Sequence, residues 1–191
     1  MTDTLTKLAY QTFQQGRAAF GLAHKSLSTQ ILNVISPTAE HRQTEPLSDE
    51  LLNLFQTRRE ELLETDWQDA ENGVYPAEIL FDNPWDDFFR YYPTLWLDMA
   101  QISDRANSKR YQEFNPSINT EGYPSYYVQN FHNQTDGYLS DTSANLYDTQ
   151  VEILFNGTAD PMRRRVLAPL KEGLAGFSDV LPQHIRVLDI A

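Results

Sequence analysis

The residues at the carboxyl end of the chain carry the clearest chemical signal in the sequence. Val187-Leu188-Asp189-Ile190-Ala191 joins a short apolar run to one acidic and one small residue. The β-branched content of residues 185–190 predicts a buried strand, the only one that the sequence indicates. In open α/β sheets the ligand lies outside the carboxyl end of such a strand, where small residues let the backbone approach it. The pattern is therefore typical of the opening of a nucleotide-binding sheet.

Several other chemical constellations are absent from the sequence. None of the eight glycines forms a Gly-x-Gly cluster, and there is no Walker-type phosphate loop. The four histidines are scattered, and no helix pattern supplies metal ligands, so we expect no metal site. Zero cysteines exclude disulfides, thiolate metal sites and a cysteine nucleophile. The catalytic residues are unknown from the sequence.

A segment upstream of the predicted strand has its own distinctive sequence. Residues 131–141 read FHNQTDGYLSD, residues 146–160 read LYDTQVEILFNGTAD, and Met162-Arg163-Arg164 follows. With residues 187–191, these segments resemble the pre-core region and the first half of motif I in class I S-adenosylmethionine-dependent methyltransferases, in a group of mostly unassigned substrate. The resemblance extends over about residues 126–170 and 185–191 and is thinner before them. The order of elements is also similar to that of quinone-biosynthesis methyltransferases.

The resemblance implies which residues contact the cofactor, S-adenosyl-L-methionine. Tyr147 matches the aromatic residue that packs beside the cofactor. Arg163 and Arg164 match the basic pair on the helix that leads into the first strand. Asp189 matches the acidic residue of motif I, which orients the amino-acid end of the cofactor, and Ala191 is the small residue that follows.

The resemblance also implies a substrate cleft covered by the N-terminal helices. His132, Asp136 and Tyr138 are the candidates for substrate contact. The methyl acceptor, which could be a small molecule, a quinone-like ring or a protein side chain, would attack the sulfonium methyl group directly, and the protein would position the two reactants. The Gly-rich loop and the acidic residue for the ribose are expected beyond Ala191. We therefore expect an N-terminal part of such an enzyme, truncated at motif I and inactive as this fragment.

Each of these site residues also has a structural interpretation. Tyr147 lies at helical spacing from Val151 and Leu154, which is equally typical of a core residue. The run of residues 163–165 is by default a solvated basic helix face. Asp136 precedes a glycine and suits a turn.

The elements that must position these residues are mainly α-helical. Apolar spacing and capping residues predict five helical segments. The first covers about residues 5–35 as one or two helices, and the second is capped by Ser48, with Asn72-Gly73 ending it or the loop after it. The third has Pro93 in its first turn, the fourth is capped by Ser140 or Asp141 and ends near Asn156-Gly157, and the fifth begins at Asp160-Pro161, is bent or interrupted at Pro169 and closes at Gly176. The predicted fold class is mainly α: a helical lid region with one terminal β-strand, which would be the first strand of a Rossmann-like methyltransferase sheet.

Composition changes divide the chain into five predicted segments. They are N-terminal helices over residues 1–36, a helical region over residues 47–114, an aromatic, Gly- and Pro-rich loop over residues 115–138, a helical pair over residues 139–184, and the first strand of a truncated cofactor domain over residues 185–191. A polar linker separates the first two segments.

Length and charge limit the classes of partner. The 191 residues carry 27 acidic and 15 basic side chains and a formal net charge of −12, a field that repels nucleic acids and anionic lipids. We therefore expect no nucleic-acid partner. No apolar stretch is long enough for a membrane span and no signal peptide is recognisable, so a cytoplasmic location is expected. The lone strand needs neighbours, so a complementing chain or a homo-oligomer is a further expectation.

A second interpretation belongs to a different functional class. The aromatic-rich middle of the chain, residues 85–147, could line a groove for a partner or a small molecule. On this hypothesis the chain is a self-standing helical binding or interaction module without catalytic activity. Binding of S-adenosylhomocysteine distinguishes the two hypotheses.

Overall fold

A computed structural model of the chain describes residues 4–35, 46–83, 85–110, 112–113, 117–130, 137 and 139–188. Helices account for 71% of these residues, and no strand occurs among them, so the mainly α prediction is confirmed. The α-helices are α1 (Thr4–Ile35), α2 (Asp49–Glu71), α3 (Trp85–Ser108), α4 (Asp141–Leu154), α5 (Ala159–Arg164) and α6 (Leu167–Ala175), with short 3₁₀ helices at Ala77–Phe81 and Pro182–His184. No helix in these ranges is long and apolar enough to cross a membrane.

The contacts divide the chain into two compact units. The first unit consists of Met1–Phe13, Asp49–Asp82 and Thr158–Ala191, and the second consists of Gln14–Ser48 and Asn83–Gly157. Neither unit is continuous in sequence, because α1 contributes its first residues to one unit and the rest to the other.

The core of the first unit is rich in aromatic side chains. Tyr10 of α1 lies 6.0 Å from Trp67 of α2, ring centre to ring centre, and meets Phe81 edge-on at 6.3 Å. Tyr75 and Leu80 complete the buried cluster together with Ala70. The turn after α2 makes this packing geometrically feasible, because Gly73 adopts a φ of +68° and reverses the chain.

The core of the second unit lies between α3 and α4. Leu95 of α3 is buried against Leu146 and Ile153 of α4. The predicted cap of α4 is confirmed, because the Ser140 hydroxyl accepts a hydrogen bond of 3.1 Å from the backbone N–H of Ser143. Such a bond satisfies one of the amide groups that a helix start leaves without an intrahelical partner.

Within the second unit, α1 passes very close to the end of α4. A Cβ on Gly21 would lie 3.1 Å from the Cα of Asn156, and one on Gly157 would lie 2.5 Å from the Cβ of Arg17. The Lys25 ammonium donates to the Leu154 carbonyl at 2.9 Å, where a positive charge suits a helix C-terminus. The glycines therefore allow an approach that larger side chains would block.

Two predictions about proline were wrong. Pro93 lies in the interior of α3 and not in the first turn of a helix. The break between α5 and α6 falls at Arg165–Val166 and not at Pro169, which sits in the first turn of α6, where its missing N–H costs little.

The predicted strand over residues 185–190 is not shown by the structure. Residues 185–188 form neither helix nor strand, although Ile185 has extended angles (φ −76°, ψ 132°), and residues 189–190 lie outside the described ranges. A strand requires a hydrogen-bonded neighbour, and none occurs in the described chain. Val187 and Leu188 are instead 66% and 82% exposed.

Replacing Gly157 by alanine should destabilise the protein by about 2–4 kcal/mol. The new Cβ would meet the backbone-proximal part of Arg17, and the φ of +79° is unfavourable for any residue with a side chain. Gly73→Ala shares the positive φ but has open space, so about 1–2 kcal/mol is expected. Gly16→Ala, in an open helix interior, should stabilise by about 0.5–1 kcal/mol. Urea unfolding checks this order, and equal losses for Gly157→Ala and Gly73→Ala would contradict the close approach.

Candidate functional site

A buried carboxylate lies at the centre of the first unit. Asp66 has no exposed surface and accepts both arms of the Arg164 guanidinium: Nε to Oδ1 at 2.8 Å and Nη2 to Oδ2 at 2.8 Å. The Tyr10 hydroxyl donates to Oδ2 at 2.6 Å. The Tyr75 hydroxyl lies 2.8 Å from Oδ1 and 2.7 Å from the Asp66 carbonyl oxygen, and its single proton is shared between them. Each carboxylate oxygen thus has two donors around it, which fills its acceptor capacity.

The charges of this cluster compensate one another. Burial alone would raise the pKa of Asp66, but hydrogen bonds from Arg164 and Tyr10 and the charge of Arg164 outweigh it, so the pKa is lowered. Burial and the neighbouring carboxylate raise the pKa of both Tyr10 and Tyr75 well above the usual tyrosine range. Both tyrosines therefore stay protonated donors, and Asp66 stays ionised. Because every acceptor position of the Asp66 carboxylate is filled, the cluster is suited to stabilising the fold more than to acid–base chemistry.

Four separate parts of the sequence meet at Asp66. Tyr10 comes from α1, Asp66 from α2, Tyr75 from the turn that follows α2, and Arg164 from the last turn of α5. Arg164 also donates from Nη1 to the Ile79 carbonyl of the 3₁₀ helix at 3.3 Å. The pair therefore fixes where α5 ends and α6 begins, and the side chain of Leu167 at the start of α6 packs on the same core.

The three consecutive arginines have different surroundings. Arg163 is exposed and pairs with Asp160 at 3.3 Å, one helical turn away. Arg164 is only 8% exposed, and all three of its nitrogens are engaged within the first unit. Arg165 pairs with Asp69 of α2. The default expectation of one solvated basic face is therefore wrong for Arg164, and contact between Arg164 and a cofactor would require its pairing to break.

An open apolar groove runs along α6 and the chain that follows it. Its volume is about 540 Å³. Most of the lining is aliphatic or aromatic, and it includes Leu170, Leu174, Phe177, Val180, Ile185 and Val187. His184 and Arg186 are the polar residues with ring or guanidinium nitrogens at its edge. The segment that resembles motif I therefore begins as one wall of an apolar groove.

Tyr147 lies on the outer side of α4. The buried residues of this helix are Ser143, Leu146 and Ile153, one position away from the predicted stripe through Tyr147 and Leu154. Tyr147 is 45% exposed, so the interpretation of Tyr147 as a core residue is wrong. Its ring is accessible to a ligand, while its role beside the cofactor stays a prediction.

A cluster of rings joins α1 to α3 in the second unit, and we call it the His24 cluster. Its members are Phe20, His24, Phe88, Tyr92 and Trp96. The His24 ring lies 4.8 Å from Trp96, and its Nδ1 is 3.1 Å from the Tyr92 hydroxyl, within hydrogen-bonding distance. Burial, followed by the nearby charge of Lys25, lowers the pKa of His24. The histidine is therefore a neutral, half-buried group packed among aromatic side chains.

The other predicted site residues cannot be placed. His132, Asp136, Tyr138, Asp189 and Ala191 lie outside the described residues. Within the described ranges, no group of three His, Asp or Glu side chains could hold a metal ion.

Sequence reasoning missed both Asp66 and the His24 cluster. Asp66 occupies an apolar stripe of α2 with Leu63, Trp67 and Ala70, and a charge in such a stripe is a signal for a buried ion pair. The His24 cluster is visible as residues spaced by four along α1 and again along α3, which places them on one helix face.

Comparison with known proteins found no relative of this chain. No protein-family model, no curated protein and no solved structure matches this chain.

Acidification should weaken the first unit through Asp66. Because its folded pKa is below the unfolded value, the stabilisation is complete above about pH 4 and is lost as the pH falls through the folded pKa. Asp66→Asn should cost about 3–5 kcal/mol at pH 7, since it leaves Arg164 buried without a counter-charge. Urea unfolding at pH 7 and pH 3 should show this cost shrinking at the lower pH. Asp179→Asn, at an exposed position, is the control. A cost that is small at pH 7, or unchanged at pH 3, would contradict the assignment.

Proposed function

We propose that this chain is the helical, substrate-side region of an S-adenosylmethionine-dependent methyltransferase, and that residues 185–191 are the first strand of its cofactor sheet. On this proposal the chain covers the substrate cleft and supplies part of the cofactor contacts. The reaction is transfer of the sulfonium methyl group to a nucleophile on a small or quinone-like molecule.

The observation that carries the proposal is the exposure of apolar side chains within residues 185–188. This apolar segment leaves α6 through the Pro182–His184 turn, and Val187 and Leu188 are more than half exposed. Exposed aliphatic side chains on a chain without helix or strand structure are unfavourable in water, and pairing in a sheet would bury them. Pairing of the predicted strand with neighbouring strands would therefore be favourable.

The order of the helices is consistent with the proposal. α4 presents Tyr147, α5 presents Arg163, and α6 then leads to the predicted strand, in the order that the family resemblance implies. Both side chains are exposed and accessible to a ligand. Arg164 has a structural role on this account, since it holds α5 against α2 through Asp66.

The His24 cluster favours a second candidate function, a binding module without catalysis. Its aromatic faces and neutral histidine suit an aromatic small molecule without any cofactor. On this alternative, planar aromatic ligands bind and S-adenosylhomocysteine does not.

Protein that contains these residues should bind S-adenosylhomocysteine with a micromolar Kd in calorimetry. Asp189→Ala should weaken binding at least tenfold, because the amino-acid end of the cofactor loses its acidic contact. Tyr147→Ala should weaken binding severalfold through lost ring packing. Asp179→Ala, at an exposed position outside the proposed site, should bind as the unmodified protein does. Absence of binding to a folded product, or binding unchanged by Asp189→Ala, would contradict the proposal.

A further inference from the structure

The first half of α2 has an apolar face that is open to solvent. Leu54 and Phe55 are 51% and 53% exposed, and Leu47, Leu51 and Leu52 are exposed beside them. Every residue from 49 to 61 is exposed except Arg59, which is half-buried. The helix continues beyond this point into the buried core around Asp66, so buried residues occur in its second half.

The exposed half of α2 is amphipathic. Leu51, Leu54 and Phe55 recur at three- and four-residue spacing within α2 and so lie on one side. Asn53, Gln56, Thr57 and Glu60 occupy the opposite side. A helical segment of this length is only marginally stable when its apolar side faces water. The face therefore has the character of an association surface.

The charges beside this face are arranged symmetrically about Leu54. Glu50 lies four residues before Leu54, and Arg58 lies four residues after it, on the same row of the helix. If two copies of α2 pair antiparallel about a two-fold axis at Leu54, Glu50 of each copy faces Arg58 of the other. Two-fold pairing requires a self-complementary surface, and this face has one.

We propose that the chain self-associates through this face as an antiparallel α2–α2 dimer centred on Leu54. Leu51, Leu54 and Phe55 form the apolar centre. At each flank Arg58, which also pairs with Glu61 of its own helix at 2.9 Å, meets Glu50 of the other copy. This inference uses α2 alone and holds whether or not the methyltransferase proposal is correct.

A lipid surface fits this helix less well than a second copy. Helices that lie on anionic membranes carry Lys and Arg on their polar side, whereas the polar side here carries Glu60. The formal net charge of −12 also opposes approach to anionic headgroups.

The size of the face sets the expected affinity. Thirteen helical residues span about 20 Å. One helix side of that length is smaller than the roughly 800 Å² per partner of a typical stable complex. We therefore expect a reversible dimer with a Kd in the micromolar range.

Sedimentation equilibrium of the intact chain from about 1 to 500 μM tests the dimer. The mass should rise with concentration from 22.0 kDa towards twice that value. Leu54→Glu should weaken association at least tenfold, while Gln56→Glu, which adds the same charge to the opposite side, should leave it within about twofold. A mass that stays at 22.0 kDa throughout, or equal effects of the two variants, would overturn the proposal.

A charge exchange tests the antiparallel register. Glu50→Arg alone and Arg58→Glu alone each place like charges opposite one another at both flanks, so each should weaken the dimer severalfold. The double variant restores opposite charges and should recover the original affinity. Failure of the double variant to recover it would overturn the register. Binding of the chain to vesicles of anionic phospholipid, lost in Leu54→Glu while the chain stays monomeric, would assign the face to a membrane and also overturn the proposal.

Discussion

A buried carboxylate cannot remain charged in a protein core unless its charge and its acceptor sites are compensated, and Asp66 imposes this constraint on the first unit. Two nitrogens of Arg164 and the hydroxyls of Tyr10 and Tyr75 supply the compensation. These donors come from segments distant in sequence, so the cluster joins α1, α2 and α5. The direction of α6, and with it the apolar groove, follows from the position of Arg164.

The same constraint gives two neighbouring arginines different surroundings, although the sequence alone does not distinguish them. Arg163 and Arg164 are adjacent and identical, but one is exposed on a short helix and the other is buried against Asp66. A ligand would meet Arg163 at little cost, whereas engaging Arg164 would expose an uncompensated carboxylate in the core. Arg164 therefore has a structural role in holding α5, whereas Arg163 is the exposed arginine of the two.

Residues near the helix ends were sufficient to predict most helix boundaries. They did not predict which helix faces pack together. Ser140, Gly73 and the Asn156-Gly157 pair act within a few residues of the helix ends that they specify, and those ends were predicted correctly. The face of α4 was misjudged by one position, because apolar spacing alone does not reveal which stripe meets α3. Asp66 and Arg164 are 98 residues apart, and only the tertiary structure brings them together. The site residues at positions 132–138 and 189–191 depend on parts of the chain that the structure does not describe.

The central claim is that the Asp66–Arg164 pair holds the first unit together, and two adjacent substitutions test it most directly. The measurement is the free energy of unfolding in urea at pH 7 for Arg164→Leu and for Arg163→Leu. Arg164→Leu should lose about 3–5 kcal/mol, because Asp66 would remain buried and charged without its partner. Arg163→Leu should change stability by less than about 0.5 kcal/mol, as is usual for exposed positions. Small and equal changes in the two variants would contradict the account.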